Sequence, residues 1–179
     1  MASSLILILF MASYFAYFTA STTSRSLFRS IEEEDLVSDT CKKTLYFQVC
    51  SSSLKSDPRS QTSDLQGLAS ISLNLSVTNG AEILSYISSL KSDKSVSGHL
   101  SDCADLYSDA VQNLEESVQS INDKSYDMVK SLVSAAMTDA DTCEDGFKEI
   151  EGVDSPLTER NQYFNKLCSN SLAITTLLV

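Results

Sequence analysis

From residue 61 onward, apolar residues return every three or four positions and polar residues fill the gaps, the rhythm of helices that bury one face. No proline interrupts Gln61–Leu90. At about 100° per residue, Leu65, Leu68, Ala69, Leu73, Leu75, Ile83, Leu84, Ile87 and Leu90 fall on one broad face centred on Leu65. Lys91–Gly98 reads as a loop. The beat resumes with Leu100, Cys103, Leu106, Tyr107, Ala110, Leu114, Val118 and Ile121. Asn122-Asp123-Lys124-Ser125 breaks it. Tyr126, Val129, Val133, Ala136, Ala140, Cys143, Phe147 and Ile150 take it up again. Glu151–Pro156 is a second loop, in which Ser155 is expected to cap a helix with Pro156 as its first residue. In that last helix Leu157, Phe164, Leu167, Ser171, Ile174 and Leu178 occupy heptad a and d positions.

These patterns predict an all-α fold with helices of about 20–30 residues joined by short connections, over about residues 61–178. Short connections force neighbours to run antiparallel, so the expectation is an up-down-up-down four-helix bundle with one core. A smaller helical segment precedes it, at about 28–56. Gly67, Gly80 and Gly146 fall inside helical patterns and mark places where helices could approach closely.

Residues 1–24 contain no Asp, Glu, Lys or Arg, and Leu5-Ile6-Leu7-Ile8-Leu9-Phe10-Met11 is a short apolar run followed by Thr19-Ala20-Ser21-Thr22-Thr23-Ser24. This reads as a secretory signal peptide cleaved between residues 20 and 24, leaving a mature domain of about 25–179. The expected product is secreted and extracellular, in an oxidising environment, monomeric and not membrane-bound.

Composition narrows the picture. The chain of 179 residues has 5 glycines and 2 prolines, too few for the turns of a β-sandwich or barrel. Its net charge of −11 argues against nucleic acid or an anionic membrane as partner, since both demand cationic patches. The one histidine, His99, follows Gly98 at a helix start and would have to carry any imidazole chemistry; a capping or solvent-facing role is expected instead. No cofactor or metal is expected, because no CxxC spacing occurs and His-rich sites are impossible. Asn74-Leu75-Ser76 is a glycosylation sequon. On the wheel Asn74 lies opposite Leu65 and Ile83, so it is expected to face solvent. The acidic run Asp139, Asp141, Glu144 and Asp145 reads as a solvated helix face.

Of the five cysteines, Cys103 and Cys143 lie equally far from residue 123, in the middle of the turn, and both sit on apolar stripes. On antiparallel helices they stand at the same height, which suits a disulfide. Cys41 and Cys50 are nine apart, about 13 Å along a continuous helix, so pairing them requires the chain to turn between them. Cys168 is then left as a buried, inert thiol.

The segment Cys41-Lys-Lys-Thr-Leu-Tyr-Phe-Gln-Val-Cys50 resembles the opening cysteine hairpin of the plant invertase and pectin methylesterase inhibitor family. The resemblance continues through Asp57–Ser60 and Asp64–Leu68, the blocks around Cys103 and Cys143, and Ser169–Ile174, covering about residues 31–178. It implies first-to-second and third-to-fourth disulfides and an N-terminal helical hairpin on a four-helix bundle. It also implies stoichiometric inhibition of a cell-wall enzyme, without catalysis. Two targets are known within the family, acid invertases and pectin methylesterases. In its invertase-directed branch a Pro-Lys-Phe segment between two bundle helices enters the enzyme's cleft. The corresponding turn here is Asp123-Lys124-Ser125-Tyr126, with a cation and an aromatic, no proline, and one more residue between them. The resemblance thus points to Asp123, Lys124, Ser125 and Tyr126 as partner-binding, and to an acid invertase ahead of a pectin methylesterase. A helical carrier, with a small molecule inside the bundle, or a defence protein is the reading from another class.

Overall fold

The computed structural model describes residues 36–90, 96–149 and 152–179. The expected signal peptide, the start of the hairpin segment and most of the first loop lie outside those residues. Helix α1 (36–41) turns back through residues 42–46 into α2 (Phe47–Ser56), and a 3₁₀ turn (Pro58–Thr62) leads to the bundle. The bundle helices are α3 (Leu65–Leu90), α4 (Ser97–Asn122), α5 (Tyr126–Lys148) and α6 (Thr158–Thr176). Each packs on the next, and α6 closes the ring against α3, as expected of an antiparallel up-down-up-down bundle. At 1.5 Å per residue, α3 and α4 are each about 39 Å long.

Local chemistry sets the starts of these elements. Asp57 accepts the Arg59 backbone N–H at 2.9 Å, and the guanidinium closes on the same carboxylate. The bonds from Arg59 hold the Asp57 carboxyl below its ordinary range. Asp64 accepts the Gly67 N–H at 2.8 Å and thereby caps α3. The first loop ends sooner than its composition suggests: Ser97 and Gly98 already belong to α4, anchored by Leu100 N–H on the Val96 carbonyl.

The start of α6 departs from expectation. The helix begins at Thr158, not Pro156. Ser155 Oγ accepts only the Leu157 N–H, at 3.2 Å, while its own hydroxyl donates to Glu144 at 3.0 Å. Thr158 Oγ donates to Glu144 as well, at 2.5 Å. A carboxylate on α5 thus organises the connection as a turn and delays the helix.

The core holds most of the residues the pattern selected, among them fully buried Leu68, Leu73, Ile83, Ile87, Leu100, Leu114, Ile121, Val129, Val133, Leu157, Phe164 and Ile174; Leu65, Leu75, Leu84, Leu90 and Leu178 pack against it partly buried, and Ile150 lies outside the described residues. Tyr107 and Phe164 meet edge to face with centroids 5.3 Å apart. The Tyr107 hydroxyl donates to Asn161 Oδ1 at 2.7 Å, which satisfies a buried donor. Between α3 and α6 the hydroxyls of Ser72 and Ser171 lie 2.7 Å apart, in a polar seam within the apolar core. Of Gly67, Gly80 and Gly146, only Gly80 marks a close helix approach: a Cβ there would lie 3.0 Å from Val111 and 3.1 Å from Phe164. Gly67 meets its own capping turn, and Gly146 meets His99 at ordinary contact distance.

Two disulfides complete the frame. Cys41 is joined to Cys50 with Cα atoms 5.5 Å apart, and Cys103 to Cys143 with Cα atoms 4.9 Å apart. The first closes the α1–α2 turn, and the second ties α4 to α5. The hairpin is further held to the bundle by Asn170, whose amide donates to the Tyr46 carbonyl at 3.2 Å. Cys168 is a free thiol with no exposed surface.

Candidate enzyme-docking site

The α4–α5 turn is built as a helix C-cap. Ser125 N–H reaches back to the Ser120 carbonyl at 2.9 Å, and Lys124 N–H to the Ile121 carbonyl at 3.2 Å. This paired 6→1 and 5→2 arrangement is a Schellman motif, with Asp123 as cap and Lys124 in the left-handed position. The φ of Lys124 is 57°, and among the described residues it is the one non-glycine residue with positive φ. Glycine is usual at this place because it has no Cβ to crowd the carbonyl. From α3, Gln66 Nε2 donates to the Ile121 carbonyl at 3.4 Å and pins the turn to a third helix.

This cap directs the four residues differently. Asp123, Lys124 and Ser125 are exposed. The Lys124 ammonium makes no ion pair with any described residue. Tyr126 opens α5 and is half-buried against the core. Turn and chain terminus share a shallow groove of about 250 Å³, lined by Lys124, Ser125, Tyr126, Asp127, Met128 and Val179. The place of Val179 beside the turn has no signature in the sequence, since the two are brought together only by the closure of the bundle.

The other singled-out residues lie elsewhere. His99, in the first turn of α4, packs against Phe147 with ring centroids 6.0 Å apart. It borders a groove of about 330 Å³ with Asp102, Asp145 and Glu149 over the Cys103–Cys143 bridge, at the bundle end remote from the turn. Among the described residues no three His, Cys, Asp or Glu side chains converge as metal ligands would. Nor is any described helix long and apolar enough to cross a membrane.

Asn74 is partly exposed, less than the wheel suggests, and its amide donates to the Ser70 carbonyl at 2.8 Å. Within the acidic run, Glu144 is not a solvated charge: it accepts from Ser155, Thr158 and Asn161. Asp139 is half-buried; burial first, then the nearby Asp109 charge, raises its carboxyl above the usual value, while a hydrogen bond with Asn113 opposes the shift. Burial pushes the Cys168 thiol up to about 12, against a hydrogen bond with Ser76 that lowers it, so the group is chemically quiet.

The described residues thus form a disulfide-tied antiparallel helical bundle with a stapled hairpin and an exposed turn capped by its own backbone. Comparison with known proteins places it. A family model described as plant invertase/pectin methylesterase inhibitor matches residues 35–174, and the chain belongs to that family. It is similar to a "Putative invertase inhibitor" from the plane tree Platanus acerifolia, with 39% identity over 161 residues covering 85% of this chain and 90% of the relative. It is also similar to "Cell wall / vacuolar inhibitor of fructosidase 2" from Arabidopsis thaliana, with 34% identity over 90% of this chain and 89% of the relative. The crystal structure of a mutant form of a pectin methylesterase inhibitor from Arabidopsis superposes with a TM-score of 0.64, at 27% identity over 76% of this chain and 93% of that one. The chain is thus an inhibitor of this superfamily, a protein that works by binding and not by turnover.

Proposed function

We propose that the chain inhibits a plant acid invertase by forming an equimolar complex in which the Asp123–Tyr126 turn enters the sucrose-binding cleft. The observation that carries this reading is the backbone of Lys124. A residue with a long cationic side chain holds a left-handed position where glycine would be less strained. Strain retained at an exposed turn is a mark of a side chain selected for what it contacts. Glycosidase clefts are built around a pair of carboxylates, and an exposed ammonium on a rigid cap complements them. The likeness to relatives named for invertase and fructosidase inhibition supports the same target. The cell wall or vacuole, typical of this family, is the compartment where the two would meet.

The test is competition with substrate. Raising sucrose at fixed inhibitor should restore invertase activity and raise the apparent inhibition constant in proportion. Inhibition unaffected by sucrose would move the complex away from the cleft.

One observation favours the other target. Asp102, Asp105, Asp109, Glu115, Asp141 and Asp145 are all exposed on α4 and α5, a strongly anionic surface that suits a basic pectin methylesterase.

A further inference from the structure

We infer that the docking surface is wider than the turn: Met128 and Val179 form with Lys124 one composite contact, for a sugar-binding cleft that has carboxylates at its floor and an apolar rim. This inference rests on the reading that the turn enters an invertase cleft, and it names side chains that the resemblance does not point to.

Large apolar side chains seldom stand in water on a closed bundle without a reason when they gather at one spot. Met128 is 54% exposed and Val179 is 82% exposed, and both line the groove that runs beside Lys124. They come from separate elements, the first turn of α5 and the residues that follow α6, so their meeting is a property of the fold. Leu178, next to Val179, instead packs against the core.

The charges around the groove fit one kind of occupant. Lys124 is the one cation among its lining residues, and it carries no intramolecular partner within the described chain. Asp127, also on the rim, is committed to Lys130 at 3.1 Å. The patch therefore offers an ammonium without an intramolecular partner, flanked by the unbranched thioether of Met128 and the branched side chain of Val179. A sugar-binding cleft is the complementary shape. It needs carboxylates for chemistry, and it holds sugar rings by their C–H faces against apolar or aromatic walls. Methionine suits such a rim because its unbranched thioether adapts to aromatic and irregular surfaces.

Met128→Asp is the sharp variant. Residue 128 is the third residue of α5, where an added carboxylate favours the helix dipole, so the fold should be retained. Inhibition constants against a purified cell-wall acid invertase would be measured for the parent, Met128→Asp, a chain lacking Val179, and Lys124→Glu. Melting temperatures would be taken alongside. The inference expects Met128→Asp to weaken inhibition by about tenfold or more with an unchanged melting temperature, and loss of Val179 to weaken it by a smaller factor. Parent-like inhibition by Met128→Asp and by the shortened chain, with Lys124→Glu impaired, would overturn the composite surface and leave the turn as the contact. Parent-like inhibition by all three would overturn the placement of the turn in the cleft as well.

Discussion

Asn161 on α6 stands between two groups that do not touch each other: it accepts from the Tyr107 hydroxyl at 2.7 Å and donates to the Glu144 carboxylate at 2.7 Å. Through it α4, α5 and α6 share one hydrogen-bond chain, to which Ser155 and Thr158 add two further donors. Removing the carboxylate leaves the Ser155 hydroxyl and the Asn161 amide without an acceptor and Thr158 with only its long bond, 3.4 Å, to the Ser155 carbonyl. Glu144→Ala should therefore lower stability by about 2 kcal/mol, with Glu144→Gln intermediate, as chemical denaturation would measure. A change within a few tenths of the parent would mean that water replaces the carboxylate freely.

The two disulfides should differ in worth. Cys103–Cys143 spans 40 residues and Cys41–Cys50 spans 9. In the chain-entropy model these correspond to about 4 and about 3 kcal/mol. Replacing Cys103 and Cys143 together by Ala should lower the unfolding free energy more than replacing Cys41 and Cys50. Cys168→Ser should change it little. In the native protein Cys168 should resist an aromatic disulfide reagent at mildly alkaline pH and react only on unfolding, since its thiol is buried and pushed up to about 12.

Asp139 gives the bundle a pH dependence of known sign. One of its oxygens is buried without a partner, and burial and Asp109 raise its carboxyl above the ordinary value of 3.8. The folded chain thus holds this proton more tightly than the unfolded chain does. Its contribution to stability is complete below the ordinary aspartate pKa and is lost as pH rises through the raised native value. Asp139→Asn should be more stable than the parent near neutral pH, with the gap closing toward about pH 4. Melting curves of both proteins across that range would show it; a gap independent of pH would contradict it.

At Lys124, stability and function should part. Lys124→Gly relieves the left-handed strain and should stabilise the fold by about 1 kcal/mol, while weakening inhibition of the invertase. A variant that melts higher and inhibits as well as the parent would reduce Lys124 to an ordinary surface residue.

Much of the fold was legible because helix faces repeat. The 3–4 spacing placed α3 to α6 and their core, and the equal distance of Cys103 and Cys143 from the turn put them at one height, where the structure links them. The missed features depend on neighbours that a single helix cannot reveal. Glu144 looks like its solvated neighbours until the start of α6 docks over it. Asn74 lies opposite the core face on a wheel, yet α3 has α2, α4 and α6 against it, which leaves little free surface. The left-handed cap at Lys124 lacked the glycine or asparagine that would have announced it. The nearness of Val179 to Met128 exists only in the closed bundle.

The most direct measurement is a titration of the purified protein, at mildly acidic pH, into a plant acid invertase and a pectin methylesterase in parallel. Inhibition of the invertase that reaches completion near equimolar addition, with the esterase unaffected, is the result this account predicts. Inhibition of the esterase alone, or of neither enzyme by a folded helical protein, would contradict it.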